Sequence, residues 1–228
     1  MKRLLPTVAA LLLAPTAFAG TVVFTLDGAD LPAAASYTET ASGYSVTAQA
    51  YTSYGGSAFL SSEVRRMGDA LGVTSVGDLN GGQIDDSGGS VEALLFDFGS
   101  SGFAGLDIAF TLLGIDESMN IWWGNTLDLS STASPLENQA SNPATSGNPP
   151  DNPFSIAAFG GARYLMIGAV DNGPSSPLCG PVSGNSCFRV DSLTATVPEP
   201  GSLALVLAAA LGLAVVSPRR RGVRASAR

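Results

Sequence analysis

The sequence predicts an all-β protein, built as an antiparallel β-sandwich of the jelly-roll kind with roughly eight strands. Short runs of alternating apolar and polar residues indicate half-buried strands. Glycine is abundant, with 27 residues among 228, and charged residues make up only 13%. Clusters of Gly, Ser, Asn and Asp between the runs are typical of tight turns. We expect residues 20–197 to form this single β-sandwich domain.

Six runs carry the strand pattern. In Tyr44–Ala50 every second residue is apolar and falls on one face. Leu106–Leu112 shows the same alternation, with Asp107 and Thr111 on the face opposite its apolar residues. The full set is Thr21–Leu26, Tyr44–Ala50, Ala93–Phe98, Leu106–Leu112, Tyr164–Val170 and Phe188–Val197. Only Glu63–Leu71 has the spacing of a helix, and that segment is short.

Residues 130–153 interrupt the strand pattern. The segment holds five prolines and many Ser, Asn and Thr residues. Strand-like sequence resumes after it, so we expect a long exposed loop inside the domain. The alternative is a boundary between two small domains.

Charge is divided unevenly along the chain. The formal net charge is -8, yet residues 20–197 hold 18 acidic and four basic residues, a net charge of -14 for that span. Phosphate backbones repel such a span, which argues against nucleic-acid binding. The chain has no histidine, which removes histidine-based triads, general bases and metal ligands. No Gly-x-Ser-x-Gly elbow occurs, and we expect no enzyme; a hydrolase with paired carboxylates is the remaining enzymatic alternative.

Residues 1–19 predict a cleaved secretory signal peptide. Lys2 and Arg3 precede an apolar run, and Ala17-Phe18-Ala19 supplies the small-x-small pattern before a cut. The mature chain then begins at Gly20, outside the cytoplasm. An uncleaved anchor is the weaker alternative, because the apolar run is short.

The end of the chain predicts a membrane-spanning helix and a stop signal. Gly201–Val216 carries no charge and as a helix would be about 24 Å long, against roughly 30 Å for the hydrocarbon core. We place the span at about residues 201–217, followed by an Arg-rich end, residues 219–228. Its arginines predict a cytoplasmic C-terminus and an exported body; they include Arg219, Arg220, Arg221 and Arg224. A buried core helix and a permanent single-pass anchor are the alternatives.

Residues 198–228 resemble the PEP-CTERM sorting tail. Pro198, Glu199 and Pro200 match its signature, and an Ala/Leu-rich span and an arginine cluster follow. The resemblance implies a protein of a Gram-negative bacterium that is held in the inner membrane as a precursor and then passed to the cell surface or extracellular matrix. It also implies a partner, the membrane protease-transpeptidase exosortase, which removes the tail. Residues 71–99 more loosely resemble ectodomains of such proteins, which supports a β-sandwich but assigns no activity.

These observations predict a non-enzymatic cell-surface or biofilm-matrix protein that is processed through its tail. The alternative is a surface-displayed, lectin-like module that binds exopolysaccharide, with Trp122 and Trp123 as its candidate ligand contacts. On a strand their rings point to opposite faces, so at most one lies in the core, and the other could stack on a sugar in an exposed groove. Core packing and covering of a sheet edge are the competing explanations.

Two further features concern the exported domain. Cys179 and Cys187 are the only cysteines, and in an exported chain we expect a disulfide between them. Metal binding by the two thiols is a weaker alternative, and a redox role lacks the C-x-x-C spacing.

A glycine-rich stretch suits a structural calcium ion. Its oxygen-bearing side chains are Asp78, Asn80, Asp85, Asp86 and Glu92. The EF-hand order fails, because glycines stand at its fifth and twelfth positions. The competing explanation is that Asp and Asn form turn hydrogen bonds and Glu92 caps a strand end. No other cofactor is expected.

Overall fold

The computed structural model describes residues 20–68, 70–75, 82–86, 90–112, 118–143, 150–170 and 187–198, and within them the chain is all-β with antiparallel pairing. These residues belong to one compact unit, Gly20–Pro198. The strands are β1 (Gly20–Thr25), β2 (Leu31–Ala34), β3 (Tyr37–Ala41), β4 (Tyr44–Tyr54), β5 (Leu60–Met67), β6 (Ala70–Thr74), β7 (Ile84–Asp85), β8 (Ser90–Asp97), β9 (Gly105–Leu112), β10 (Met119–Gly124), β11 (Asn138–Asn142), β12 (Phe154–Ile156), β13 (Tyr164–Ala169) and β14 (Cys187–Val197). The six predicted runs are confirmed as β1, β4, β8, β9, β13 and β14.

Glu63 and Met67 lie in β5, and Ala70 and Leu71 lie in β6, so the helical interpretation of residues 63–71 is wrong. They belong to the β5–β6 hairpin, in which Met67 pairs with Ala70. Gly68, in the turn, has φ +53°, a left-handed conformation that interrupts a helix. Val64 and Leu71 are buried in the core. Packing of a whole hairpin on that core outweighs the local helical spacing.

Ten strands follow one another along a continuous sheet, in the order β11-β10-β13-β8-β4-β5-β6-β14-β9-β12. β5 joins the two halves of this sheet, because Leu60–Ser62 pair with β4 and Glu63–Met67 pair with β6. Strands β1 and β7 pair with β14, β2 with β5, and β3 with β4. Buried residues from both halves belong to one apolar cluster, the main core. The halves therefore face each other across a shared core.

β14 is paired along both edges. One edge carries β9 over most of its length. The other edge carries β6 and β7 beside Cys187–Val190 and β1 beside Ser192–Val197. A β-bulge at Asp191 separates the two stretches, and the Leu26 N–H donates to the Asp191 carbonyl at 2.9 Å. The bulge shifts the register of the ladder to β9 at the point where the opposite edge of β14 changes partners.

The outward face of β8, β10 and β13 is covered as well. A second apolar group, the outer cluster, consists of the buried residues Tyr51, Phe59, Ala93, Leu95, Trp122, Leu136 and Met166. Residues 125–137, the covering segment, lie over it and add the partly buried Leu127 and Leu129. Residues 130–153 are therefore not one exposed loop, because Leu136 packs in the outer cluster and Asn138–Asn142 pair with β10 as β11. Residues 144–149 lie outside the described residues.

Gly72 marks a close approach of two backbones, and it yields a test of the fold. A Cβ at residue 72 would overlap the Gly82 carbonyl oxygen, where Val73 exchanges backbone hydrogen bonds with Gly82 and Gln83. We expect Gly72→Ala to lower the free energy of unfolding by about 2–3 kcal/mol, since the strands must separate.

The matched control is Gly105→Ala in β9, where the nearest atom to a new Cβ is 3.5 Å away. We expect it to change the free energy of unfolding by less than about 1 kcal/mol. Urea denaturation measures both variants, and equal losses would contradict the close approach.

Candidate functional site

The first and last described strands bring the two ends of the domain together. β1 and β14 pair in a continuous register, with Gly20 opposite Val197 and Thr25 opposite Ser192. The Cα atoms of such partners lie about 4.5–5.5 Å apart. The residue after the predicted signal peptide and the residue before the predicted sorting motif are thus neighbours at one end of the sheet, which we call the proximal end.

No unpaired linker separates the described domain from the sorting motif. Thr196 is paired on both sides, with β1 and with β9. Val197 still pairs with β1 and packs against the main core. Pro198 is exposed and belongs to no strand. The ladder ends one residue before the motif, whose Glu199 and Pro200 lie outside the described residues.

An ion pair braces the proximal end. The Arg163 guanidinium donates from Nε to Asp97 Oδ1 at 2.9 Å and from Nη2 to Asp97 Oδ2 at 2.8 Å. The Gly99 N–H donates to the same carboxylate at 2.8 Å. The hydrogen bond from Arg163 is the main cause of a lowered pKa at Asp97, with the Gly99 N–H lowering it further against the opposing effect of burial.

The opposite, distal end of β14 begins at Cys187. β14 has 11 residues, which places its two ends roughly 35 Å apart. Cys187 is buried and disulfide-bonded, and it pairs with Asp85 of β7. Cys179, the only other cysteine of the chain, lies outside the described residues, so its pairing with Cys187 stays a prediction.

Three of the five predicted calcium ligands lie near this end and are buried: Asp85, Asp86 and Glu92. The Asp85 N–H donates to Glu92 Oε2 at 3.3 Å. Glu92 lies inside β8, and its carboxylate accepts this hydrogen bond from the last residue of β7, which agrees with the competing explanation that it caps a strand end. Asp78 and Asn80 lie outside the described residues. Within the described part of the chain no group of three or more Cys, Asp or Glu side chains is arranged to hold a metal, and calcium binding stays a prediction.

Arg189 has a structural position that the sequence reasoning missed. Its Nε donates to the Gly82 carbonyl at 2.9 Å, and its Nη2 lies 4.0 Å from the Met67 sulfur. The guanidinium thereby ties the glycine-rich stretch to β14. The available signal was that basic residues are scarce in this acidic domain, which has only four arginines and no lysine, since a cation in such a place is usually bound to a specific partner.

The two tryptophans of β10 point to opposite faces, as predicted. Trp122 lies in the outer cluster and is 2% exposed, and its indole N–H donates to the Ala133 carbonyl at 3.3 Å. Trp123 is half-buried and packs against the main core. The expectation of a ring in an exposed groove is therefore wrong, because the covering segment lies over the outward-facing ring.

A cavity of about 150 Å³ lies beside Trp122, between the covering segment and the β4–β5 hairpin. Its side chains carry no charge: they are Ser53, Phe59, Val91, Asn120, Trp122, Thr132, Ala133 and Ala169. The Thr132 hydroxyl donates to the Gly56 carbonyl at 3.3 Å, and the Phe59 N–H donates to the Leu129 carbonyl at 2.8 Å. These bonds hold the covering segment to the hairpin. The cavity is smaller than the roughly 300–1,000 Å³ of most ligand pockets and suits one small neutral group.

The remaining predicted features lie outside the described residues. They are the signal peptide at residues 1–19, the span at about residues 201–217, and Arg219, Arg220, Arg221 and Arg224. None of the residues that the structure describes forms a helix long and apolar enough to cross a bilayer. The terminal features stay predictions.

The proximal ion pair should make stability depend on pH. We expect Asp97→Asn to lower the free energy of unfolding at neutral pH by about 0.5 kcal/mol, since both side chains are partly exposed. Because the folded-state pKa of Asp97 is lowered, this contribution is present above the ordinary Asp value of 3.8 and disappears as the pH falls through the folded-state value. Urea denaturation of wild type and variant across acid pH measures the loss.

Asp107→Asn is the control for that series. Asp107 is an exposed carboxylate of β9 with no ion pair to a described residue. We expect its removal to leave the acid dependence close to that of the wild type. A wild-type advantage over Asp97→Asn that persists unchanged in strong acid would show that the ion pair does not cause it.

Comparison with known proteins returns no match. No family model, no curated protein and no solved structure matches the chain. Proposals about function therefore rest on the residues and contacts described above, together with the resemblance of residues 198–228 to a sorting tail.

Proposed function

We propose that this chain is an exported, non-enzymatic cell-surface or extracellular-matrix protein that is sorted through its PEP-CTERM-like tail. The tail holds the precursor in the inner membrane, and an exosortase-like membrane protease recognises and removes it. The mature domain then acts through its physical surface, which is acidic and soluble. We further propose that the domain is a jelly-roll-like β-sandwich, which is supported by two sheet halves that share one core.

The observation that carries the proposal is the position of the sorting motif relative to the domain. β14 ends at Val197, and the motif's first residue, Pro198, is exposed next to it. The prolines on either side of Glu199 favour an extended backbone, which is the form a protease binds. A cut within Pro198–Pro200 leaves every described strand of the domain complete.

Intact mass of the protein from the native cell's envelope and medium tests this proposal. We expect an intact mass that corresponds to a chain from Gly20 to a C-terminus within Pro198–Pro200, with or without an added group. A mass that corresponds to a chain ending at Arg228, in protein found only in the inner membrane, would exclude sorting. The domain would then be permanently tethered to that membrane.

A second candidate function, binding of a neutral polysaccharide, is favoured by the cavity beside Trp122. Its lining combines two aromatic rings with hydroxyl and amide groups and no charge, a combination that suits a single sugar ring.

Replacement of each tryptophan separates this candidate from the first. Trp122 lines the cavity and Trp123 does not, although the two are neighbours on β10. We expect Trp122→Leu to weaken retention on the cell's own polysaccharide about tenfold, or about 1.4 kcal/mol. We expect Trp123→Leu to bind the polysaccharide as strongly as the wild type does. Circular dichroism checks that both variants fold. Equal loss in both variants, or no retention of the wild type, would exclude the cavity as a saccharide site.

A further inference from the structure

We propose that a cleft between β2, β3 and β5 binds a small organic acid, whose carboxylate lies on Arg66 and whose apolar body lies on the neighbouring aliphatic side chains. This binding site goes beyond the proposed function, since it depends neither on sorting nor on the cavity beside Trp122. The cleft has a volume of about 230 Å³. That volume is below the roughly 300–1,000 Å³ of most ligand pockets, so the ligand is a small molecule.

The lining of the cleft is mostly apolar and carries a single charge, that of Arg66. Its aliphatic side chains are Leu31, Pro32 and Ala34 from β2 and Val64 from β5. The three from β2 are exposed to water, so a ligand with an apolar body is stabilised by covering them. Ser36 adds a hydroxyl group to the lining.

Neutral groups hold the guanidinium of Arg66 in place. Its Nε donates to the Ala29 carbonyl at 2.9 Å, and its Nη1 donates to the Asp27 carbonyl at 3.4 Å and to the Tyr37 hydroxyl. Its Cζ atom lies 5.0 Å from the centre of the Tyr37 ring. Gly28 lies close as well, since a Cβ there would be 3.3 Å from Arg66 Cζ. A cation that is fixed in advance loses little conformational entropy when a ligand binds.

These bonds leave one nitrogen of Arg66 available to a ligand. A guanidinium has five N–H donors, and the bonds described above use those on Nε and Nη1. The two donors on Nη2 have no acceptor among the residues that the structure describes. A carboxylate oxygen suits them best, because a hydrogen bond between two charged groups is roughly twice as strong as one between neutral groups.

The charge of Arg66 also has no carboxylate partner in the described part of the chain. No described carboxylate oxygen lies within 4.0 Å of its guanidinium, whereas Arg163 is paired with Asp97. Glu39 approaches only through the Tyr37 hydroxyl, which donates to Glu39 Oε2 at 2.9 Å. Charges more than about 8 Å away are largely screened at physiological ionic strength. The immediate surroundings of Arg66 therefore favour an anion, although the domain as a whole is acidic.

The lining decides the rest of the ligand. One carboxylate oxygen accepts from Arg66 Nη2, and the Ser36 hydroxyl donates to the other. A ring or a branched chain then covers Leu31 and Pro32. A sugar acid would place its hydroxyl groups against aliphatic side chains that cannot form hydrogen bonds with them, which costs free energy. The ligand class is thus a monocarboxylic acid with an apolar body.

Calorimetric titration with benzoate tests the site. The protein is produced in the native cell and recovered from its envelope or medium. We expect benzoate to bind with a Kd on the order of 1 mM or tighter. Benzyl alcohol has the same ring without the charge, and glucuronate has the carboxylate on a hydroxylated body. We expect each of these two to bind at least about tenfold more weakly than benzoate.

Two neighbouring arginines of β5 provide a matched pair of variants. Arg66→Gln and Arg65→Gln remove the same charge, but only Arg66 lines the cleft. We expect Arg66→Gln to weaken benzoate binding about tenfold or more. Arg65→Gln should bind benzoate within about twofold of the wild type, because a charge outside the site is screened.

A second variant leaves Arg66 and its bonds intact. Ala34→Phe fills the cleft from an exposed position of β2, and we expect it to abolish benzoate binding. Val23→Phe is its control, because Val23 is exposed on β1 and does not line the cleft; it should bind benzoate as the wild type does. Urea denaturation checks that all four variants fold.

Three results would overturn the proposal. They are a wild type that does not bind benzoate, benzyl alcohol that binds as tightly as benzoate, and an Arg66→Gln or Ala34→Phe variant that binds benzoate as tightly as the wild type. Glucuronate that binds as tightly as benzoate would overturn the apolar body of the ligand.

Discussion

The pairing of β14 on both edges is the constraint on which the rest of the structure depends. β14 links β9 on one side to β6, β7 and β1 on the other, so four strands share it as a partner. It is also the last described strand, and β1, which it pairs with, is the first. Such contacts join residues far apart in sequence, so the sheet closes only when the whole domain is present.

The bulge at Asp191 lies at the point where β14 changes partners along one edge. Before the bulge β14 lies beside β6 and β7; after it, the same edge receives β1 while the ladder to β9 continues. Phe188 and Leu193 on the two sides of the bulge are both buried in the main core. The strand therefore pairs with three strands, β6, β7 and β1, along one edge while it keeps a single apolar face.

The same pairing gives the domain two distinct ends. The proximal end holds the first residue of β1, Gly20, the last residue of β14, Val197, and the Asp97–Arg163 ion pair. The distal end, one strand length away, holds the disulfide-bonded Cys187 paired with Asp85. Asp86 and Glu92, which are near Asp85 in the sequence, are buried as well.

Local pattern by itself determined the all-β class, six of the fourteen described strands and the opposite faces of Trp122 and Trp123, and it predicts a signal peptide and a sorting tail at the two termini. These depend on period-two alternation and on composition, which neighbouring residues express directly. Only the tertiary structure decided that β5 and β6 pair, that leucines of residues 125–137 cover the outward-facing Trp122, and that Gly20 pairs with Val197. Each of these depends on which distant segment supplies the other half of a contact, and such partners leave no periodic trace in the sequence.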